Sequence, residues 1–246
     1  MKSGPCSGVT FSLIALATGL YAPWPAKAQT SEVRYASMAP LAKYLETDTE
    51  TEIAVARSAA PVGISGHATV LVLRSTGYQT AARGTGGFVC LVERGWMGPL
   101  DWSDFWNPKI RGPICFNPQA ARTVLPITMK RTQLVLGGMN KTQMVAALKT
   151  AIDHGDLPTL EPGAMSYMMS KDGYMGAEAG HWHPHLMFYA ARSDGSDWGA
   201  DVSGSPVQLN PQFQGAPEPL TTYVVPVPNW SDGSQDDMHV WTGVPF

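Results

Sequence analysis

The segment from Ala68 to Arg94 constrains the fold more than any other part of the chain. It holds three runs of strand length, "ATVLVLR" (68–74), "YQTAAR" (78–83) and "FVCLVER" (88–94), separated by "STG" and "GTGG". β-Branched and apolar residues dominate the first and third runs, and glycines punctuate the gaps. The segment therefore reads as three strands joined by tight turns, a three-stranded antiparallel meander. The glycines of "GTGG" would suit a phosphate loop. No helix start and no lysine follow them, so a hairpin turn is the reading adopted.

Helical patterns lie on either side. "DTETEIAVARSAA" (48–60) has acidic residues at its start, Arg57 near its end and Pro61 after it, an order that suits the helix dipole. Its buried face should include Ile53 and Ala56. Asn117-Pro118 opens a helix-compatible run to about Leu136, which Pro126 must kink or break. Asn140 with Gln143 forms a capping-box pattern for a further helix whose apolar face is Met144, Val145, Leu148 and Ile152, stopped by Gly155. The last third returns to strand candidates at 164–170, 184–191 and 221–227, followed by a polar tail anchored by Trp230 and Trp241. Strands, then helices, then strands predict one compact α+β domain with a mainly antiparallel sheet and two or three helices, spanning 29–246.

Residues 95–118 ("GWMGPLDWSDFWNPKIRGPICFNP") concentrate Trp96, Trp102, Phe105, Trp106 and Phe116 in one stretch rich in Pro and Gly. Five large aromatics would not stay in water on an uncovered loop. Packing over the sheet is the favoured reading. The functional alternative is a ligand surface made of Trp96, Trp102 and Trp106.

The first residues read as an export signal. Lys2 precedes a mostly apolar run from Val9 to Ala22, and Ala26-Lys27-Ala28 offers small residues where a signal peptidase reads. Residues 1–28 are thus expected to be a cleaved signal peptide, and the protein to be periplasmic or extracellular. Loss of Lys2 and Lys27 would take the net charge from −3 to −5. A mildly acidic surface argues against nucleic acid and against anionic membranes as partners, leaving a small molecule or another protein. No later stretch is apolar enough to insert into a bilayer. Cys90 and Cys115 would remain after cleavage. In an oxidising compartment such a pair is expected as a disulfide contributing about 3 kcal/mol, with two free thiols, one of them catalytic, as the alternative.

The sharpest chemical signal is "GHWHPHLMFY" (180–189), with His181, His183 and His185 at alternate positions. On an extended chain His183 and His185 would share a face about 7 Å apart, within reach of one metal ion. His181 joins them only if the chain bends near Gly180. A third ligand would come from Glu178, His67, His154 or Asp201, with Glu178 also a candidate base. Imidazoles suit a divalent transition metal. The methionines 165, 168, 169, 175 and 187 nearby raise copper as a second option, although methionine also fills cores. Without a metal, the alternation describes a strand with histidines on its polar face and Trp182, Leu186 and Phe188 on the other. The aspartates at 194, 197 and 201 and at 232, 236 and 237 read as solvated surface. No G-x-S-x-G, S-x-x-K or H-E-x-x-H motif occurs.

Six segments, "AVARSAAP", "GTGGFVCLVERGW", "FWNPKIRGPICFNPQAARTVLP", "MSYMMSKDGYMG", "GHWHPHLMFY" and "WGADVSGSPV", together resemble a family of exported bacterial proteins of unassigned function. The resemblance spans about Glu52 to Gly233 and implies a bacterial periplasmic or extracellular setting. It implies no reaction and no site residues. Three functions remain in play: a binding or accessory protein of unknown ligand, a metal-dependent hydrolase-like enzyme using His183 and His185, and a non-catalytic copper or metal-binding protein. The first requires the fewest unproven ligands.

Overall fold

The computed structural model describes Met1, Gly4 and residues 35–177, 180, 182–200, 202–210 and 216–237. The expected signal peptide apart from Met1 and Gly4, together with His181, Glu178, Asp201 and Trp241, lies outside the described residues. The described residues between Tyr35 and Asp237 belong to one compact unit. Among the described residues an eight-stranded sheet is built from β1 (Thr69–Arg74), β2 (Gly77–Ala82), β3 (Val89–Glu93), β4 (Gly112–Phe116), β5 (Met165–Met168), β6 (His185–Ala191), β7 (Gln208–Leu209) and β8 (Leu220–Pro226). Its spatial order is β2-β1-β3-β4-β5-β6-β8-β7. The helical segments are α1 (Thr49–Arg57), α2 (Val62–Ser65), α3 (Pro118–Thr123), α4 (Leu125–Leu136) and α5 (Lys141–Asp153). The molecule is an α+β fold whose sheet is antiparallel except for one pair.

That pair corrects the expected meander. β1 and β2 form an antiparallel hairpin, but β3 does not follow β2 as its neighbour. It lies on the other side of β1 and runs parallel to it, Thr69 opposite Val89 and Val70 opposite Cys90. "GTGG" is therefore a crossing beneath the start of β1 instead of a hairpin turn. Thr85 and Gly86 donate their backbone N–H groups to the His67 carbonyl at 3.0 and 2.9 Å. Gly84 presses so closely that a Cβ there would stand 2.2 Å from the His67 oxygen. Only glycine fits this crossing.

β1, β3 and β4 are covered on both faces, which is why β1 and β3 read as nearly continuous apolar runs, whereas the edge strand β2 is largely exposed. On one face Val70, Val72, Cys90, Val92 and Cys115 pack under α1 through Ile53 and Ala56. On the other, Leu71, Leu91, Ile114 and Phe116 pack under α3 and α4 through Ala120, Val124 and Leu125. β4 was hidden inside the aromatic stretch, and its five residues are all buried. Cys90 and Cys115 are opposed in the β3–β4 register and form a disulfide with Cα atoms 4.0 Å apart.

The helix signals are accurate in detail. Asp48 caps α1 and accepts from Glu50 and Thr51. Asn140 and Gln143 form the reciprocal capping box of α5. Pro126 breaks the expected 118–136 run at Val124, and it sits in the first turn of α4, where its missing N–H costs nothing. One acidic residue of α1 departs from the dipole reading. Glu52 is buried, pairs with the equally buried Arg94 at 2.9 Å, and accepts from the β1 backbone at Leu73. Arg94 also donates to the carbonyls of Tyr44 and Val92. One ion pair thus binds α1, β1, β3 and the residues before α1.

Candidate functional site

Among the described residues a concavity lies where α4 crosses the sheet between β4, β6 and β8. Its cavity volume is about 70 Å³, below the ~300–1,000 Å³ usual for drug-sized ligands, so only a small group can enter it fully. Strand alternation supplies its floor. Met187 and Tyr189 project from β6, Leu220 and Thr222 from β8, and Phe116 from the end of β4. Val124, Ile127, Thr128 and Arg131 form the α4 wall, and Glu93, Met97, Ala216 and Glu218 complete the lining. Their spacing along α4 places the wall residues on one helical face.

Polar groups converge on this apolar shell from two sides. Arg131, 2% exposed, grips Glu218 with two parallel bonds, Nε to Oε1 at 2.7 Å and Nη2 to Oε2 at 3.0 Å. Its remaining nitrogen, Nη1, donates to the Gly98 carbonyl at 2.8 Å and more weakly to those of Trp96 and Met97. Each nitrogen of the guanidinium is thereby bonded, and the group is fixed. Glu93, the last residue of β3, is held differently. Thr128 Oγ1 donates to its Oε1 at 3.0 Å. Among the described residues no donor meets Oε2, and Glu93 is one of the pocket's lining residues. Burial pushes the Glu93 carboxyl up to about 7, against the opposing pull of the Thr128 bond and the Arg131 charge. Near neutrality the pocket therefore contains a carboxyl group poised between its two forms.

The histidine segment is arranged otherwise than expected. His183 and Pro184 precede β6, and His185 is its first residue. His183 is partly exposed and its Nδ1 lies 2.5 Å from Oδ2 of the buried Asp236. Asp236 is thus a partner and not solvated surface. His185 Nδ1 donates to the His183 carbonyl at 2.7 Å, and the ring meets Trp182 edge-on at 5.8 Å. His185 shares its face of β6 with Met187 and Tyr189 and is buried, whereas Leu186 and Phe188 are only half-buried. The strand's inward face is therefore the reverse of the one expected, because α3 and α4 cover the odd-numbered side. Burial, with the nearby His183 charge, pushes His185 down to about 4, so its ring is neutral.

Among the described residues no group of three or more His, Cys, Asp or Glu side chains gathers to hold a metal ion. His67 and His154, suggested as further ligands, are exposed on separate turns. Met168, Met169, Met175 and Met187 pack in the core or against it. Of the three tryptophans expected as a ligand surface, Trp96 and Trp106 are buried in a cluster with Tyr44, Phe105 and Leu148, and Trp102 packs half-buried against it. Trp96 Nε1 donates to Thr132 of α4 at 3.0 Å. These rings fasten the 95–106 segment to the helices and do not line the pocket.

The sequence reading missed Glu93, Thr128, Arg131 and Glu218. The one available signal was the presence of Glu93 and Arg94 at the end of an otherwise apolar strand buried on both sides, and it does not say which way each side chain turns. Compared with known protein families, characterised proteins and solved structures, the chain finds no match.

Proposed function

We propose that this protein is an exported binding protein which holds a small, mainly apolar molecule in the pocket between α4 and the sheet. The observation that carries the reading is the pocket's chemistry: an apolar lining with one carboxyl oxygen, Glu93 Oε2, left without a donor among the described residues. Concave apolar sites with a few oriented polar groups are the usual form of a small-molecule site. The bidentate Arg131–Glu218 pair holds α4 against the segment before β8, so the pocket is pre-shaped. Export is supported by the N-terminal sequence pattern and by the Cys90–Cys115 disulfide, a bond typical of oxidising compartments. The resemblance to exported bacterial proteins points the same way. No helix among the described residues is long and apolar enough to cross a membrane.

Saturation-transfer NMR with 2-phenylethanol and 2-phenylethylamine tests the pocket. At least one should receive magnetisation from the wild-type protein. A folded Ile127→Trp chain, whose ring would fill the space beside Thr128, should lose that signal. No transfer to either probe, or equal transfer from the filled variant, would overturn the assignment.

A further inference from the structure

We infer that the ligand of this pocket is a small organic ammonium ion, an apolar body bearing one charged amine that is met by the Glu93 carboxylate. The inference rests on the pocket reading above and adds to it the charge of the occupant.

Three observations converge. First, Glu93 offers an acceptor with nothing to accept from. Thr128 satisfies Oε1, while Oε2 meets no donor among the described residues, and the residue lines the pocket. Second, the cation beside it cannot serve. Every nitrogen of Arg131 is already bonded, two to Glu218 and one to the Gly98 carbonyl. Arg131 is also the only Lys or Arg among the described lining residues, so an anionic ligand would meet no free cation. Third, the walls suit a cation with an apolar body. Phe116 and Tyr189 offer aromatic rings, and Met97 and Met187 offer polarisable thioethers.

Charge balance decides the class. With Glu93 protonated, Arg131 and Glu218 cancel and the pocket is neutral. An entering ammonium displaces the Glu93 proton to water, and the resulting carboxylate pairs with the ammonium, so the pocket is neutral again. The proton leaves as the ion pair forms, and no other group changes its charge. The surrounding titratable groups do not compete. Arg131 on α4 and Glu218 before β8 are committed to each other. The phenols of Tyr189 on β6 and Tyr78 on β2 are raised far above the physiological range by burial. The Arg94–Glu52 pair is buried in the opposite layer, where Arg94 also bonds the Tyr44 and Val92 carbonyls and Glu52 Oε2 has no hydrogen-bond partner among the described residues.

The test compares 2-phenylethylamine with its neutral counterpart 2-phenylethanol by NMR titration at about pH 5.5 and about pH 8, for the wild-type protein and for Glu93→Gln. The carboxyl titrates near 7, so the amine should bind the wild type about 30-fold more tightly at the higher pH, whereas the alcohol should change less than about threefold. Glu93→Gln should abolish the amine's pH dependence and leave the alcohol unaffected. The wild-type comparison needs no variant to fold. An amine that binds no tighter at the higher pH, or an alcohol that binds better at every pH, overturns the ammonium assignment and leaves the pocket standing. Failure of both probes to bind overturns the pocket as well, and this assignment with it.

Discussion

Loss of water disfavours the charged forms of both Glu93 and His185, and the two pull stability in opposite directions along the pH axis. The Glu93 carboxyl rises from 4.5 to about 7 on folding. The folded chain therefore holds its proton more tightly, and this contribution is full below 4.5 and lost as pH rises to about 7. His185 falls from 6.5 to about 4. Its contribution is full above 6.5 and lost as pH falls to about 4. Between about pH 4.5 and 6.5 the two slopes oppose, so these groups together should leave wild-type stability nearly flat there. Glu93→Gln removes one slope. Urea unfolding of that variant should show stability climbing with pH across the same window, by up to about 3 kcal/mol. It should also be the more stable chain above neutrality, and a variant that tracks the wild type at every pH would contradict the burial of Glu93. Neither group announces its state in the sequence. His185 drew attention as a possible ligand, yet its inward orientation depends on helices more than 40 residues upstream. Asp236 looked like tail, and only the path of residues 227–237 back past His183 makes it a partner.

Elements whose signals are local were legible, and those that depend on neighbours were not. Capping chemistry resides in four consecutive residues, so α5 could be placed from Asn140 and Gln143 alone. Asn140→Ala should cost about 1 kcal/mol in chemical denaturation. Alternation and β-branching marked β1, β2 and β3, but pairing is not written in either pattern. The parallel contact between β1 and β3 escaped for that reason. β4 escaped because Pro113 and the surrounding aromatics mask five residues buried on both faces. The crossing under β1 gives a direct check. Gly84→Ala places a methyl group against backbone atoms of His67, Ala68 and Thr69. It should destabilise the protein by roughly 1–3 kcal/mol, the range for overpacked sites. A hairpin at this position would have tolerated alanine far better.

At the scale of the whole molecule, one sheet separates two layers, and buried charge pairs tie each layer to distant parts of the chain. Arg131–Glu218 joins residues 87 apart in sequence, and Arg94–Glu52 joins residues 42 apart. Arg131→Met would strand the Glu218 carboxylate in a buried site. It should lower stability by about 3–5 kcal/mol, measured by thermal or urea unfolding, whereas replacing both partners with apolar residues should cost far less. The α+β class was foreseeable from pattern, and the sulfur pairing from the export signal expected in the sequence. The pocket was not, since its walls come from four separate regions of the chain that only the finished fold assembles. The opposed cysteines carry one more consequence. Because neighbouring strand residues point to opposite faces, a one-position slip between β3 and β4 would leave the two sulfurs on different sides of the sheet, unable to join. Oxidation is thus a proofreader of alignment, and the moment the thiols vanish during refolding marks when those strands first find their correct partners.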